Sequence, residues 1–231
     1  MAVTTEPGTE VRALDLRLPR AVYGSLRTLA HLINRSYWRV SVEGPPVPAT
    51  GGVILAPVHR SFIDFFVVSE ATRRKLFYMT KEEMWNSRAL GAFLDSVGAF
   101  PVRREGSDRL SLGRAQAVLE RKEVLVLFPE GTRRSGDLIT DLHGGTAFLA
   151  ARAGAVIVPV GIGGTQESLA KGSKVPRPVK VHLVIGDPIG PPERAANKRT
   201  PRHELNELTE QLRSELQKVY DLARSRVHAA G

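Results

Sequence analysis

Between about residue 50 and residue 190 the chain alternates short apolar runs with stretches of helical periodicity, and each run ends at a polar or glycine-bearing segment. Runs such as Val124-Leu-Val-Leu-Phe128 do not alternate apolar with polar, so they must be covered on both faces, as the strands of a parallel sheet are. Strands are expected near Gly52–Ala56, Leu76–Met79, Ala99–Arg103, Glu123–Phe128, Val156–Val160 and Val179–Ile185. Helices are expected over Ser61–Ala71, between Lys81 and Asp95, over Asp108–Arg121 and Gly145–Ala153, and from His203 to about Arg224. In the last of these, Leu205, Leu208, Leu212, Leu216, Val219 and Leu222 recur at spacings of three and four, which marks a face packed on the core. The expected architecture is α/β, with a mostly parallel central sheet flanked by helices and an N-terminal amphipathic helix.

The N-terminal helix is read from Arg20 to Tyr37. Val22, Leu26, Leu29, Ile33 and Tyr37 form its apolar stripe, with Arg20, Arg27, His31 and Arg35 roughly opposite. Two placements fit: a surface helix packed on the domain with solvated arginines, or a helix lying at a membrane interface. Residues 1–13 read as a flexible tail, 14–45 as the N-terminal helical segment, 46–225 as the α/β domain and 226–231 as a C-terminal tail. No apolar run approaches the roughly 18 residues needed to span a bilayer. The N-terminus lacks the apolar stretch of a secretory signal, so a protein that stays inside the cell is expected.

Charge and cysteine content remove several function classes. The 231 residues carry 33 Lys plus Arg against 24 Asp plus Glu, a formal net charge of +9, and no cysteine. Thiolate nucleophiles, cysteine metal sites and disulfide scaffolds are excluded. The positive surplus favours nucleic acid, an anionic membrane face or phosphorylated small molecules. Nucleic acid is disfavoured, because the arginines gather at strand ends without the interleaved aromatics of single-strand binders.

Four of those strand ends carry chemistry. After the first strand comes His59-Arg-Ser-Phe-Ile-Asp64. With Ser61 as a helix cap, Asp64 would sit in the first turn, where the helix dipole and free amides favour a carboxylate. From there it would reach one ring nitrogen of His59 and leave the other as a base. Such a pair has no nucleophile of its own and would act on a hydroxyl brought by a substrate, as the histidine of a serine triad acts on its serine. With six histidines in the chain such a spacing also arises by chance, so the pair alone leaves a structural role open. A second strand ends in Pro129-Glu130-Gly131-Thr132-Arg133-Arg134, offering a carboxylate, a hydroxyl, amides and two guanidinium groups suited to a phosphate, though a capped turn has the same composition. A third ends in Arg103-Arg104, and Lys81 follows the Leu76–Met79 strand. Parallel strands would bring these ends to one edge, setting a base beside a cationic pocket.

Taken together, the segments resemble the four blocks of the glycerolipid acyltransferases, the lysophosphatidate acyltransferase (PlsC-like) family. His59 to Asp64 looks like its HxxxxD block. Gly98-Ala-Phe-Pro-Val-Arg-Arg104 is similar to its second block, with Arg104 on the motif arginine; Phe128-Pro-Glu-Gly-Thr-Arg133 is similar to its third, and Ile157-Val-Pro-Val160 to its fourth. Pro101, Arg103 and Arg134 depart from the usual residues where a headgroup would sit.

The resemblance implies transfer of a fatty acyl group from acyl-CoA, or from acyl carrier protein, to the free hydroxyl of lysophosphatidate, giving phosphatidate for phospholipid synthesis. Under it His59 is the general base and Asp64 its orienting carboxylate. Lys81, Arg103, Arg104 and Arg133 would hold the acceptor phosphate, and Glu130, Gly131 and Thr132 would shape the site. No metal and no cofactor beyond the acyl donor are expected, and His143 reads as marking a helix start, with a place near the site as the alternative. The implied partners are the acyl donor, a lysophospholipid and an anionic membrane surface, with the protein peripheral on the cytoplasmic face of the cell membrane. Glycerol 3-phosphate or another lysophospholipid is the alternative acceptor, and a non-catalytic lipid or polyanion binder is the alternative of another class.

Overall fold

Val53–Pro57 (β2) is buried at every position and lies inside the sheet, so the residues after its carboxyl end are held by strands on both sides. The structure is a computed structural model that describes residues 20–81, 86, 99–102, 109–169, 173, 175–191 and 200–228. Its other strands are β1 (Ser41–Glu43), β3 (Leu76–Lys81), β4 (Ala99–Val102), β5 (Val124–Val126), β6 (Val156–Gly163) and β7 (His182–Ile185), in the spatial order β1-β7-β6-β2-β5-β3-β4. β2 runs parallel to both neighbours, with Val53 beside Val124 on one side and Val156 on the other. β3 and β4 continue the same direction, whereas β7 pairs antiparallel with β6 and carries β1 parallel to itself. Five consecutive strands therefore point their carboxyl ends to one edge, where open α/β sheets place their ligands.

Alternate residues of these strands feed two cores. Val53, Leu55, Tyr78, Val126, Val158 and Val160 belong to one. Ile54, Ala56, Phe77, Leu125 and Ile157 belong to the other, with the helices α3 (Arg109–Glu120) and α4 (Gly145–Ala153). Each such aliphatic side chain contributes about 1.5–3 kcal/mol when fully buried, so an apolar run with no polar position is worth most inside the sheet.

The C-terminal helix α6 (Arg202–His228) begins in the second core through Leu208 and Leu212 and ends in the first through Leu216, Val219, Tyr220 and Ala223. Its expected stripe turns slightly toward the end: Leu222 is exposed, and Tyr220 and Ala223 point inward. β6 receives it on glycines. A β-carbon on Gly161 would collide with the Val219 carbonyl, and one on Gly163 would stand 2.5 Å from the Ala223 carbonyl oxygen. Gly161 and Gly163 thus form a track for a helix backbone, whereas Gly164 faces the Lys180 carbonyl.

Two expectations change. The segment after His59 is not one helix capped by Ser61. It is a short α2 (Asp64–Val67) followed by a 3-10 turn (Val68–Ala71), because the Asp64 carboxylate accepts the amides of Arg60 and Ser61 and closes the chain earlier. Ser61 Oγ instead donates to the Leu169 carbonyl, beside the short α5 (Thr165–Ser168).

The N-terminal helix α1 (Arg20–Ser36) docks by its polar side. The Arg27 guanidinium donates to the carbonyls of Thr72, Arg73 and Arg74, His31 Nδ1 meets Glu70 Oε2 at 2.7 Å, and Asn34 Nδ2 donates to Glu70 Oε1 at 2.9 Å. Leu29, Leu32, Ile33 and Tyr37 stay exposed, at 55%, 58%, 42% and 39%. The helix expected between Lys81 and Asp95 and the tail of residues 1–13 lie outside the described residues, apart from Asn86.

Candidate active site

His59 lies two residues beyond β2, and its main chain is held from both sides by the loop that follows β5. Its amide donates to Glu130 Oε1 at 2.9 Å, and its carbonyl accepts the Arg134 amide at 2.9 Å. Its ring stacks on Phe128, with centroids 4.1 Å apart. Nδ1 stands 3.1 Å from Asp64 Oδ2, an oxygen that also accepts the amides of Arg60 at 2.6 Å and Ser61 at 2.7 Å. Since a carboxylate oxygen accepts only, the proton of the neutral ring belongs on Nδ1, and Nε2 keeps its lone pair. Asp64 is fully buried while the His59 side chain is 19% exposed. An oriented imidazole at the sheet edge, backed by a buried carboxylate, has the geometry to accept a proton brought in from outside.

Glu130, expected to shape the site, is buried behind His59. It is 1% exposed and receives Arg60 Nη1 on Oε1 at 2.8 Å and on Oε2 at 2.5 Å. Both carboxylate oxygens are thereby used inside the protein, so Glu130 builds the loop around His59. Burial works against the charge of Arg60, yet bonding and attraction to Glu130 hold its pKa above the ordinary guanidinium value. Arg60 had no expected role; the signal available in the sequence was an arginine beside the histidine together with a carboxylate in the third block.

Gly131 takes φ +65°, and the His143 ring is packed against it, so His143, one residue before the N-cap of a helix, also lies against the third-block loop. The helix begins at Gly145, with Gly144 as its N-cap residue. Thr132, Arg133 and Arg134 are exposed, and no ion pair engages either arginine among the described residues. Lys81 is the last residue of β3, beside Val102 at the end of β4. These positions share the carboxyl edge with His59. Arg103 and Arg104 lie outside the described residues. Among the described residues no group of His, Asp and Glu could hold a metal.

Phe65 and Phe66, which directly follow Asp64, line an apolar cavity of about 250 Å³. Leu26, Ala30 and Ile33 of α1 and Tyr78 of β3 form other parts of its wall.

Residues 39–163, more than half of the chain, match the family model described as Acyltransferase. The chain belongs to the acyltransferase family. Among similar acyltransferases, the 1-acyl-sn-glycerol-3-phosphate acyltransferase of Bacillus subtilis is 29% identical over 144 residues, 62% of this chain and 69% of that one. The enzyme of the same name from Streptococcus pneumoniae is 34% identical over 110 residues, 47% of this chain and 40% of its own. The lyso-ornithine lipid O-acyltransferase of Pseudomonas aeruginosa is 30% identical over 157 residues, 68% of this chain and 57% of its own. In fold, the chain is similar to the crystal structure of the 1-acyl-sn-glycerophosphate (LPA) acyltransferase PlsC from Thermotoga maritima, with a TM-score of 0.70 at 22% identity, covering 93% of this chain and 88% of the other. The acyltransferase match of residues 39–163 spans β1 to β6 and leaves out β7 and α6.

Proposed function

We propose that this acyltransferase moves a fatty acyl group from a thioester, acyl-CoA or acyl carrier protein, to the free hydroxyl of lysophosphatidate, yielding phosphatidate for phospholipid synthesis. The observation that carries the reading is the pairing of His59 Nδ1 with buried Asp64 Oδ2, which leaves Nε2 free to accept a proton. Nε2 takes the hydroxyl proton as the oxygen attacks the thioester carbonyl. The C–O bond forms, the C–S bond breaks, and the imidazolium returns its proton to the departing thiolate. No acyl-enzyme is required. The exposed cations Arg133 and Arg134 beside the base support a phosphate-bearing acceptor, as do the relatives named for 1-acyl-sn-glycerol-3-phosphate. The cavity lined by Phe65 and Phe66 suits an acyl tail.

The exposed apolar side of α1 supports a peripheral position on an anionic membrane face, where donor tail and acceptor both reside. Among the described residues no helix is long and apolar enough to cross a membrane.

The test is thiol release from palmitoyl-CoA, or from the acyl carrier protein thioester, with lysophosphatidate, glycerol 3-phosphate, a lyso-ornithine lipid or no acceptor. Lysophosphatidate-dependent release is expected, lowered roughly 10²- to 10⁴-fold in His59→Ala. Release only with another acceptor moves the substrate and keeps the base. No release above the His59→Ala background with any pair removes the catalytic reading in favour of a lipid or polyanion binder.

A further inference from the structure

The helix that the family match leaves out reaches the base by a continuous chain of contacts. Arg60 is 4% exposed, and besides Glu130 its guanidinium donates through Nε to the Gly136 carbonyl at 3.0 Å and through Nη2 to the Leu138 carbonyl at 3.3 Å. Its Cζ stands 4.9 Å from the ring centroid of Tyr220, a residue of α6 that is also 4% exposed. The Tyr220 hydroxyl donates to the same Gly136 carbonyl at 3.2 Å. Burial pushes the phenol above its ordinary pKa despite two neighbouring guanidinium groups, so it stays a donor at neutral pH.

The same turns of α6 hold the rest of that loop. Gln217 Oε1 accepts the Ile139 amide at 2.8 Å, and its Nε2 donates to the Asp137 carbonyl at 2.9 Å. Arg224 pairs with Asp137 at 2.7 Å, and its Cζ lies 5.5 Å from the centroid of the Tyr220 ring. The loop thus gripped begins at Arg133 and Arg134, and the Arg134 amide binds the His59 carbonyl. A cation held against an aromatic face in a buried site is attracted more strongly than one in water, and its planar fork fixes direction as well as distance.

We infer that Tyr220 is a positioning residue for the acyl-transfer base: the C-terminal helix holds Arg60 and the Gly136 to Ile139 loop, and through Glu130 these set the main chain of His59. The inference rests on His59 being that base. It assigns to α6 a part in catalysis separate from closing the core, which Leu208 and Leu212 serve nearer the start of the same helix.

The experiment compares Tyr220→Leu, Tyr220→Phe and Leu212→Ala by steady-state kinetics, thermal unfolding and NMR of the His59 amide and ring. A displaced base costs turnover up to roughly a hundredfold, so Tyr220→Leu should lower kcat about 10- to 100-fold while leaving KM for the acyl donor within about twofold. Tyr220→Phe keeps the ring under Arg60 and loses one neutral hydrogen bond, so kcat should fall by no more than about threefold. Leu212→Ala should lower the melting temperature at least as much as Tyr220→Leu, yet leave kcat of the folded enzyme and the His59 resonances unchanged. A Tyr220→Leu enzyme with wild-type kcat and unmoved His59 resonances overturns the inference, as does an equal kcat loss in Leu212→Ala. If the wild-type protein transfers no acyl group at all, the reading of the reaction fails; the His59 resonances then decide the positioning claim by themselves, moving in Tyr220→Leu and not in Leu212→Ala if it holds.

Discussion

Gly131 and His143 are packed so closely that a β-carbon on the glycine would stand 2.5 Å from the histidine Cδ2, at a backbone φ of +65°. The glycine therefore meets two separate demands. Its left-handed conformation costs a residue with a side chain about 1–2 kcal/mol, and its missing side chain admits the imidazole that lies on it. Both keep the third-block loop in the shape that delivers Glu130 to the His59 amide.

Gly131→Ala should accordingly lower the melting temperature by about 2–8 °C and reduce turnover by at least roughly tenfold. Adding His143→Ala removes the collision but not the backbone cost, so the double variant should recover part of the turnover and remain less stable than the wild type. Thermal unfolding and steady-state kinetics on the three proteins check this. Full recovery in the double variant would mean that the conformation of residue 131 does not matter.

How much of this is legible in the chain depends on how local each signal is. The inner strands announce themselves, since a run such as Val53 to Ala56 has no polar residue to present to water. α4 has the bounds expected of it, and α6 is longer than expected by one residue at its start and about four at its end. The edge strand β1 escapes the sequence pattern because it is three residues long, partly exposed, and paired with β7 across roughly 140 residues of chain. Arg60 and Glu130 are separately visible, but nothing local says that they meet, and a carboxylate in a polar loop reads as a ligand-binding group until a buried partner is found for it. α1 shows the limit of periodicity. Its two faces separate cleanly in the sequence, yet periodicity does not say which face docks, and here three backbone carbonyls and a glutamate take the cationic side.

That placement makes a prediction about membranes. Leu29 and Ile33 are 55% and 42% exposed, so much of each side chain is left to transfer into an apolar phase, a gain of up to about 1.5–3 kcal/mol for full burial. Leu29→Ser combined with Ile33→Ser should weaken binding to vesicles containing phosphatidylglycerol at least about tenfold, with the melting temperature unchanged within about 2 °C. Sedimentation with vesicles measures the first and thermal unfolding the second. Undiminished binding would move the membrane contact away from this face.

A pH dependence of stability follows from the sheet edge. His182 on β7 is 8% exposed, with Nδ1 2.6 Å from Ser41 Oγ and Nε2 3.4 Å from Glu43 Oε2. Burial lowers its pKa, and Lys180 and Arg226 add to that against the opposing pull of Glu43. The folded protein thus binds a proton less readily than the unfolded chain, whose histidine titrates near about 6.5. The contribution to stability is complete above that value, declines as the pH falls through it, and levels off below the depressed folded pKa. His182→Gln should remove this part of the acid slope, so urea unfolding between pH 8 and pH 5 should show a smaller loss in the variant than in the wild type. Parallel slopes would place the acid sensitivity elsewhere.

Asp64 closes a turn through the same oxygen that meets His59 Nδ1, the oxygen that would orient the proposed base. The carboxamide of an Asp64→Asn variant retains a carbonyl oxygen able to accept the amides of Arg60 and Ser61, so the turn and the fold should survive. What the variant loses is the negative charge opposite Nδ1, and with it the preference for a proton on that nitrogen and the stabilisation of the imidazolium formed during transfer. In serine proteases, where a carboxylate holds histidine in the same way, the corresponding change lowers kcat about 10⁴-fold. The expectation here is a loss of roughly 10³- to 10⁴-fold in kcat, with a wild-type circular dichroism spectrum and a melting temperature lowered by only about 2–4 °C. A variant that unfolds would show that the turn needs the charge itself. A folded variant with near-normal turnover would show that His59 does not depend on Asp64 for its proton.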